Sequence, residues 1–111
     1  IHAGVKYLDF IRKRYFSDPE VNRFNQTMFS FAAYNAGPAR IRQLRQKAAQ
    51  QGYDPNVWFD NVEVIAAQNI GRETVQYVAN ILKYYLAYSL TTQQQLERQK
   101  ARDKVGIKRG D

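Results

Sequence analysis

A chain of 111 residues with 44% apolar and 14% aromatic content can fold as one small domain, and this composition excludes a disordered polymer. The absence of cysteine excludes disulfides, thiolate zinc sites and cysteine nucleophiles, while the single His2 leaves no His-based metal site and no Ser-His-Asp triad. Net charge is +7, of which residues 1–90 hold +4 (11 Lys/Arg against 7 Asp/Glu) and residues 91–111 hold +3 (6 against 3). The body is therefore only mildly basic, and other anionic polymers, cell wall included, suit it as well as nucleic acid does.

Residues 1–16 have the pattern of an amphipathic helix. Val5, Leu8, Ile11 and Tyr15 recur at three-to-four spacing, with Lys6, Asp9, Lys13 and Arg14 on the other face. Ser17-Asp18-Pro19-Glu20 should stop this helix and cap the next, predicted from about Glu20 to Tyr34. Its latter half (Met28, Phe29, Phe31, Ala32, Ala33) is apolar nearly all round and is expected at the centre of the core. Gly37-Pro38 breaks the chain, since Gly ends a helix at little cost and Pro fits the first turn of another. Tyr34 and Asn35 thus stand where two helices meet, a place for displaying polar groups.

The third predicted helix, Ala39 to about Gln50, carries Arg40, Arg42, Arg45 and Lys47 without an acid. This is either a solvated face or a basic rim beside a groove. Gly52 ends it, and Tyr53-Asp54-Pro55-Asn56 forms a turn. The following aromatic segment, residues 57–65, is expected to make one or two helical turns with Trp58 and Phe59 in the core. A loop containing Gly71 follows. From Glu73 to about Leu90 a helix is predicted by the stripe Val75, Val78, Ile81, Leu82, Tyr85, Leu86, with Tyr77, Tyr84 and Tyr88 on a second line. Residues 91–111 are polar and basic, with only Leu96, Val105 and Ile107 as large apolar groups, and are read as a frayed helix or a disordered tail. No segment alternates as a strand would, so the fold class is all-α. No apolar run reaches membrane-spanning length, and the chain opens without a signal-peptide pattern or an initiator Met, on what reads as a helix interior. It is therefore expected to be a piece of something longer.

For acid–base chemistry the residues themselves offer Glu63 and Glu73, each in a largely apolar neighbourhood that could raise a carboxyl pKa. Structural duty is the better reading for both, most plainly for Glu73 at a helix start.

Three blocks then combine: Ala3-Gly4-Val5-Lys6-Tyr7-Leu8; Ala32-Ala33-Tyr34-Asn35-Ala36-Gly37-Pro38; and Glu73-Thr74-Val75-Gln76-Tyr77-Val78-Ala79-Asn80-Ile81. In this order, with a Trp-Phe-Asp-Asn-Val-Glu segment between the last two, they resemble the C-terminal part of the catalytic domain of soluble-lytic-transglycosylase-like (SLT, lysozyme-like) enzymes, which cut bacterial peptidoglycan. The resemblance covers about residues 1–88. It implies a lysozyme-like helical domain, here truncated at its N-terminal side, with residues 1–90 as the C-terminal portion of the SLT domain and 91–111 as a tail.

For the parent protein the resemblance implies a membrane-bound or soluble lytic murein transglycosylase, a carbon–oxygen lyase. One glutamate would protonate the MurNAc–GlcNAc oxygen and then deprotonate the muramoyl C6 hydroxyl, giving a 1,6-anhydro sugar, in place of the usual carboxylate pair. That glutamate belongs to a Glu-Ser motif upstream of the first block, followed by a GLMQ-like segment. Neither occurs in this sequence, so the chain is expected to be inactive alone.

By the same resemblance Tyr34 and Asn35 would line the sugar groove, Gly37 would permit the turn that presents Asn35, and Glu73 would be a substrate-side residue that contacts the peptide stem or a basic side chain. Tyr77 would orient the family's glutamate through its O–H. The implied partners are peptidoglycan glycan strands, not nucleic acid, in the periplasm or cell envelope. Membrane anchoring of the parent is compatible with this, and no cofactor is expected. Removal of N-terminal helices would uncover the apolar faces of residues 29–33 and 75–86, so the fragment is expected to self-associate or to be loosely folded. The rival readings are a basic helical nucleic-acid module using Arg40, Arg42, Arg45 and the tail, and a helical protein-interaction domain.

Overall fold

A computed structural model of the chain describes residues 2–109, with side chains from residue 6 to residue 104. His2, Val5, Val105 and Ile107, singled out above, have side chains outside that range. Among the described residues five helices follow one another: α1 (His2–Tyr15), α2 (Arg23–Ala36), α3 (Pro38–Gln50), α4 (Glu63–Asn69) and α5 (Arg72–Arg109). No strand occurs among the described residues, so the all-α class holds, as expected for a lysozyme-like domain. The chain divides into two compact units, Ile1–Ile81 and Leu82–Asp111.

In the first unit α2 is the central element and packs against α1, α3 and the Trp58–Val62 turn. Its residues Met28, Phe29, Phe31, Ala32 and Ala33 are all buried. The expectation that residues 29–33 would be partly uncovered is corrected. Helices α1 and α3 pack on α2, and Phe16 and Trp58 lie against Phe29, so the chain itself covers this face. Phe29 is the hub. Its ring lies 5.7 Å from Phe16 and meets Trp58 edge-on at 6.3 Å, the geometry favoured by aromatic quadrupoles.

The start of α2 differs from the sequence expectation. Asn22, not the Ser17-Asp18 pair, caps it: Asn22 Oδ1 accepts the Asn25 backbone N–H at 2.8 Å and Asn25 Nδ2 at 3.0 Å. Asp18 to Val21 instead form a turn closed by a Val21 N–H to Asp18 C=O bond of 3.0 Å, which puts the Val21 side chain in the core. Gln26 secures this turn by donating to Val21 O at 2.9 Å while accepting from Arg12 of α1 at 3.2 Å.

Residues 58–62 also depart from the expected helical turns. Phe59 is extended (ψ 134°) and Asp60 is left-handed (φ 61°), so regular helix begins only at Glu63. Local side chains outcompete the helix here. Asn61 accepts the Asp54 N–H at 2.9 Å and donates to Phe59 O at 3.0 Å, and Glu63 accepts the Asp60 N–H at 3.1 Å. Trp58 is fully buried, and its backbone N–H donates to buried Asn25 Oδ1 at 2.9 Å. Phe59 is half-buried and packs on Phe24 at 6.3 Å.

In the predicted α5 stripe Val78 is buried, Val75, Ile81 and Leu82 are half-buried, and Tyr85 and Leu86 are exposed. The second unit is the remainder of α5, helical through Arg109. It carries exposed Tyr84, Tyr88, Leu90 and Leu96 as well. Among the described residues no helix is long and apolar enough to cross a membrane.

Candidate functional site

The end of α2, the start of α3 and the first turns of α5 meet at one corner of the first unit. Gly37 makes the joint: its φ of 95° and ψ of 140° fall where side-chain-bearing residues are strained, and its N–H donates to Ala33 O at 2.8 Å. Pro38 then opens α3 with a φ suited to helix and no N–H to leave unpaired. The break leaves Tyr34 and Asn35 on the last turn of α2, both exposed.

Tyr77, two turns into α5, brings its ring parallel to Tyr34, with centroids 6.4 Å apart and planes 5° off parallel. Tyr7 from α1 meets Tyr34 edge-on at 5.7 Å, and Phe10 continues the line 6.3 Å from Tyr7. Tyr7, Phe10 and Tyr34 are each about half exposed (53%, 55% and 49%), so α1 and α2 present one row of aromatic rings to solvent. Such rings offer flat apolar faces with polar edges, suited to half-wet ligands. Burial, followed by the neighbouring Tyr34 phenol, pushes the Tyr77 hydroxyl above its ordinary value of 10.0, so it is held as an O–H donor.

Asn35 is tied to α5 as well. Thr74 Oγ1 donates to Asn35 Oδ1 at 2.7 Å, and Thr74 itself is buried. Glu73, next to it on the first turn of α5, is exposed. Tyr34, Asn35 and Tyr77 thus converge, Gly37 shapes the backbone beside them, and Glu73 stands at the edge of the same turn. Residue pattern alone assigns no role to Tyr7 or Thr74, although both lie inside the blocks quoted above. The burial of the Thr74 hydroxyl was the missing signal, and it is a tertiary property.

Of the two carboxyls considered for acid–base work, Glu63 is engaged locally with the Asp60 N–H. The basic face of α3 is also partly committed. Arg45 donates to Pro55 O at 2.8 Å, to Asn56 Oδ1 at 3.1 Å and to Asp18 Oδ2 at 3.3 Å, with its guanidinium 4.8 Å above the Phe29 ring. Lys47 donates to Asn69 Oδ1 at 2.6 Å. Arg40 and Arg42 remain exposed. Among the described residues no group of three His, Cys, Asp or Glu side chains is placed to hold a metal ion.

No family model matches the chain, and no solved structure does. Known proteins do match. A membrane-bound lytic murein transglycosylase F of Pseudomonas fluorescens is 32% identical over 110 residues, covering 87% of this chain and 22% of the relative. The protein of the same name from Stutzerimonas stutzeri is 33% identical over 113 residues (89% and 23%), and that from Pseudomonas putida is 28% identical over 120 residues (96% and 24%). The chain therefore spans about a quarter or less of the length of the curated relatives it matches. The likeness expected from the three sequence blocks is found: over most of its length this chain is similar to proteins named membrane-bound lytic murein transglycosylase F.

Proposed function

We propose that the chain is part of a peptidoglycan lytic transglycosylase of the bacterial cell envelope. Residues 1–90 are the C-terminal portion of its SLT domain and 91–111 a tail, with the corner formed by Tyr34, Asn35 and Tyr77 as one wall of the sugar groove. The observation that carries this reading is the convergence of Tyr34, Asn35 and Tyr77, from two separate sequence blocks, on one solvent-facing corner. Tyr34 and Tyr7 offer ring faces and edges to a glycan. Asn35 offers amide hydrogen bonds to an N-acetyl group or ring hydroxyl, and Glu73, exposed on the first turn of α5, is offered to the peptide stem or a basic side chain. Gly37 holds the bend that displays Asn35.

The reaction we propose for the parent protein breaks the C1–O4 bond between MurNAc and GlcNAc. A carboxyl group gives its proton to O4, and the muramoyl O6 then closes on C1 as its own proton passes to that carboxylate. The product is 1,6-anhydroMurNAc, and no water is consumed. Tyr77, held protonated, is suited to donating a hydrogen bond to that carboxyl and keeping it in place. Glu63 accepts a backbone N–H and Glu73 is solvent-exposed, so neither is offered as the acid, and the chain alone is proposed to be inactive. The exposed Tyr84, Leu86, Tyr88 and Leu90 support self-association of the chain, and anchoring of the parent at a membrane is compatible with the reading.

Titration of the chain with a muropeptide or chitooligosaccharide, followed by amide shifts, tests the proposal. Shifts at Tyr34, Asn35 and Tyr77 without turnover of peptidoglycan are expected. Salt-sensitive binding of duplex DNA centred on residues 40–47, with no shifts on sugar addition, would overturn it. Turnover abolished by Glu63→Gln or Glu73→Gln would overturn the proposed inactivity.

A further inference from the structure

The bond between Thr74 and Asn35 determines more than the packing of α5 on α2. In the structure the Thr74 hydroxyl donates to the amide oxygen of Asn35 over 2.7 Å. Thr74 is 5% exposed, and its partner is 39 residues away in sequence, whereas a helical threonine usually turns its hydroxyl back on its own helix. With Oδ1 engaged, the two Nδ2 protons of Asn35 have no protein acceptor among the described residues, although Asn35 itself is exposed.

We propose that Thr74 is a positioning residue that fixes the Asn35 amide so that it presents N–H donors and not its carbonyl. The corner then selects ligand groups that accept hydrogen bonds, and the acetamido carbonyl of an N-acetylated sugar is the chemistry that fits. This inference rests on the sugar-facing reading given above. An Asn amide has nearly the same shape in both flipped orientations, so packing alone cannot choose between them, and the orientation adopted is the one in which Thr74 donates to Oδ1.

The test measures the Kd of chitotriose and of cellotriose, which lacks acetamido groups, by amide shifts for the wild-type chain, Thr74→Val, Thr74→Ser, Asn35→Asp and Asn35→Ala. Thr74→Val should raise the chitotriose Kd about threefold to tenfold, the size of one net hydrogen bond. Thr74→Ser should restore it to within about twofold of wild type. Cellotriose should bind wild type and Thr74→Val alike, or not at all. Asn35→Asp keeps the Thr74 contact but has no donor, and it should lose chitotriose binding even if Thr74→Val fails to fold. Wild-type affinity in Thr74→Val or Asn35→Asp, with weakened binding in Asn35→Ala, would overturn the positioning role and leave the sugar reading standing. So would an equal loss for both sugars. Failure of chitotriose to bind the wild type, or full binding by Asn35→Ala, would remove the sugar reading and this inference with it.

Discussion

Replacing Arg45 by methionine should unfold the first unit more readily and do little else. The side chain is 12% exposed and spans α3, the 53–56 turn and the 18–21 turn. Methionine keeps the apolar stem but removes charge-assisted bonds to Pro55 O and Asn56, together worth about 1.5–3 kcal/mol. The ion pair to Asp18, itself 47% exposed, adds roughly 0–1 kcal/mol, and the guanidinium over Phe29 about 0.5–2 kcal/mol. These contributions share one side chain and do not simply add, so about 3 kcal/mol is expected, or roughly 12–24 °C in Tm for a unit of this size. Trp58, the only tryptophan and fully buried in the same core, reports unfolding by its fluorescence in urea. The midpoint should fall at constant slope. Arg45→Lys should recover only part of the loss, because a single ammonium cannot make the forked contact. Arg42→Met, at an exposed neighbour, should stay within about 0.5 kcal/mol of wild type. An Arg45→Met midpoint equal to that of Arg42→Met would refute the reasoning and return Arg45 to the outward basic face.

Two further outcomes follow from the corner itself. Gly37→Ala should cost about 1–3 kcal/mol in the same urea assay, and from backbone strain alone, since a Cβ there meets nothing within 4 Å. An unchanged midpoint would show that the φ of 95° is not required. Tyr77, whose pKa is raised in the fold, contributes stability that is fully present below pH 10.0 and is lost as pH climbs through its folded value. Tyr77→Phe should therefore flatten the alkaline end of the stability curve, and phenolate absorbance should place the missing titration above 10.0; one at or below that value would contradict the burial argument.

Much of this architecture is local and was legible in the residues. Apolar spacing marks α1 and the start of α5, because a helix repeats its buried face every three to four residues whatever surrounds it. Gly37-Pro38 marks the joint, because few other pairs tolerate its dihedrals. The three blocks, read together, pointed to the lytic murein transglycosylases to which the chain is similar. The boundaries less well anticipated, the start of α2 and the 58–62 turn, were moved by Asn22, Asn61 and Glu63, whose side chains bond nearby backbone in ways that periodicity does not encode.

Only the tertiary structure decided what the polar groups do. Arg45 and Arg42 are equivalent in a list of basic residues, yet one is bound on three sides and the other faces solvent. The face of residues 29–33 is covered from within the chain, because helices distant in sequence supply the surface that buries it. Tyr34 and Asn35 stood at a joint from the outset. That Tyr77 lies parallel to one and Thr74 bonds the other depends on α5 returning to α2 across some forty residues, a distance over which sequence pattern carries no geometry.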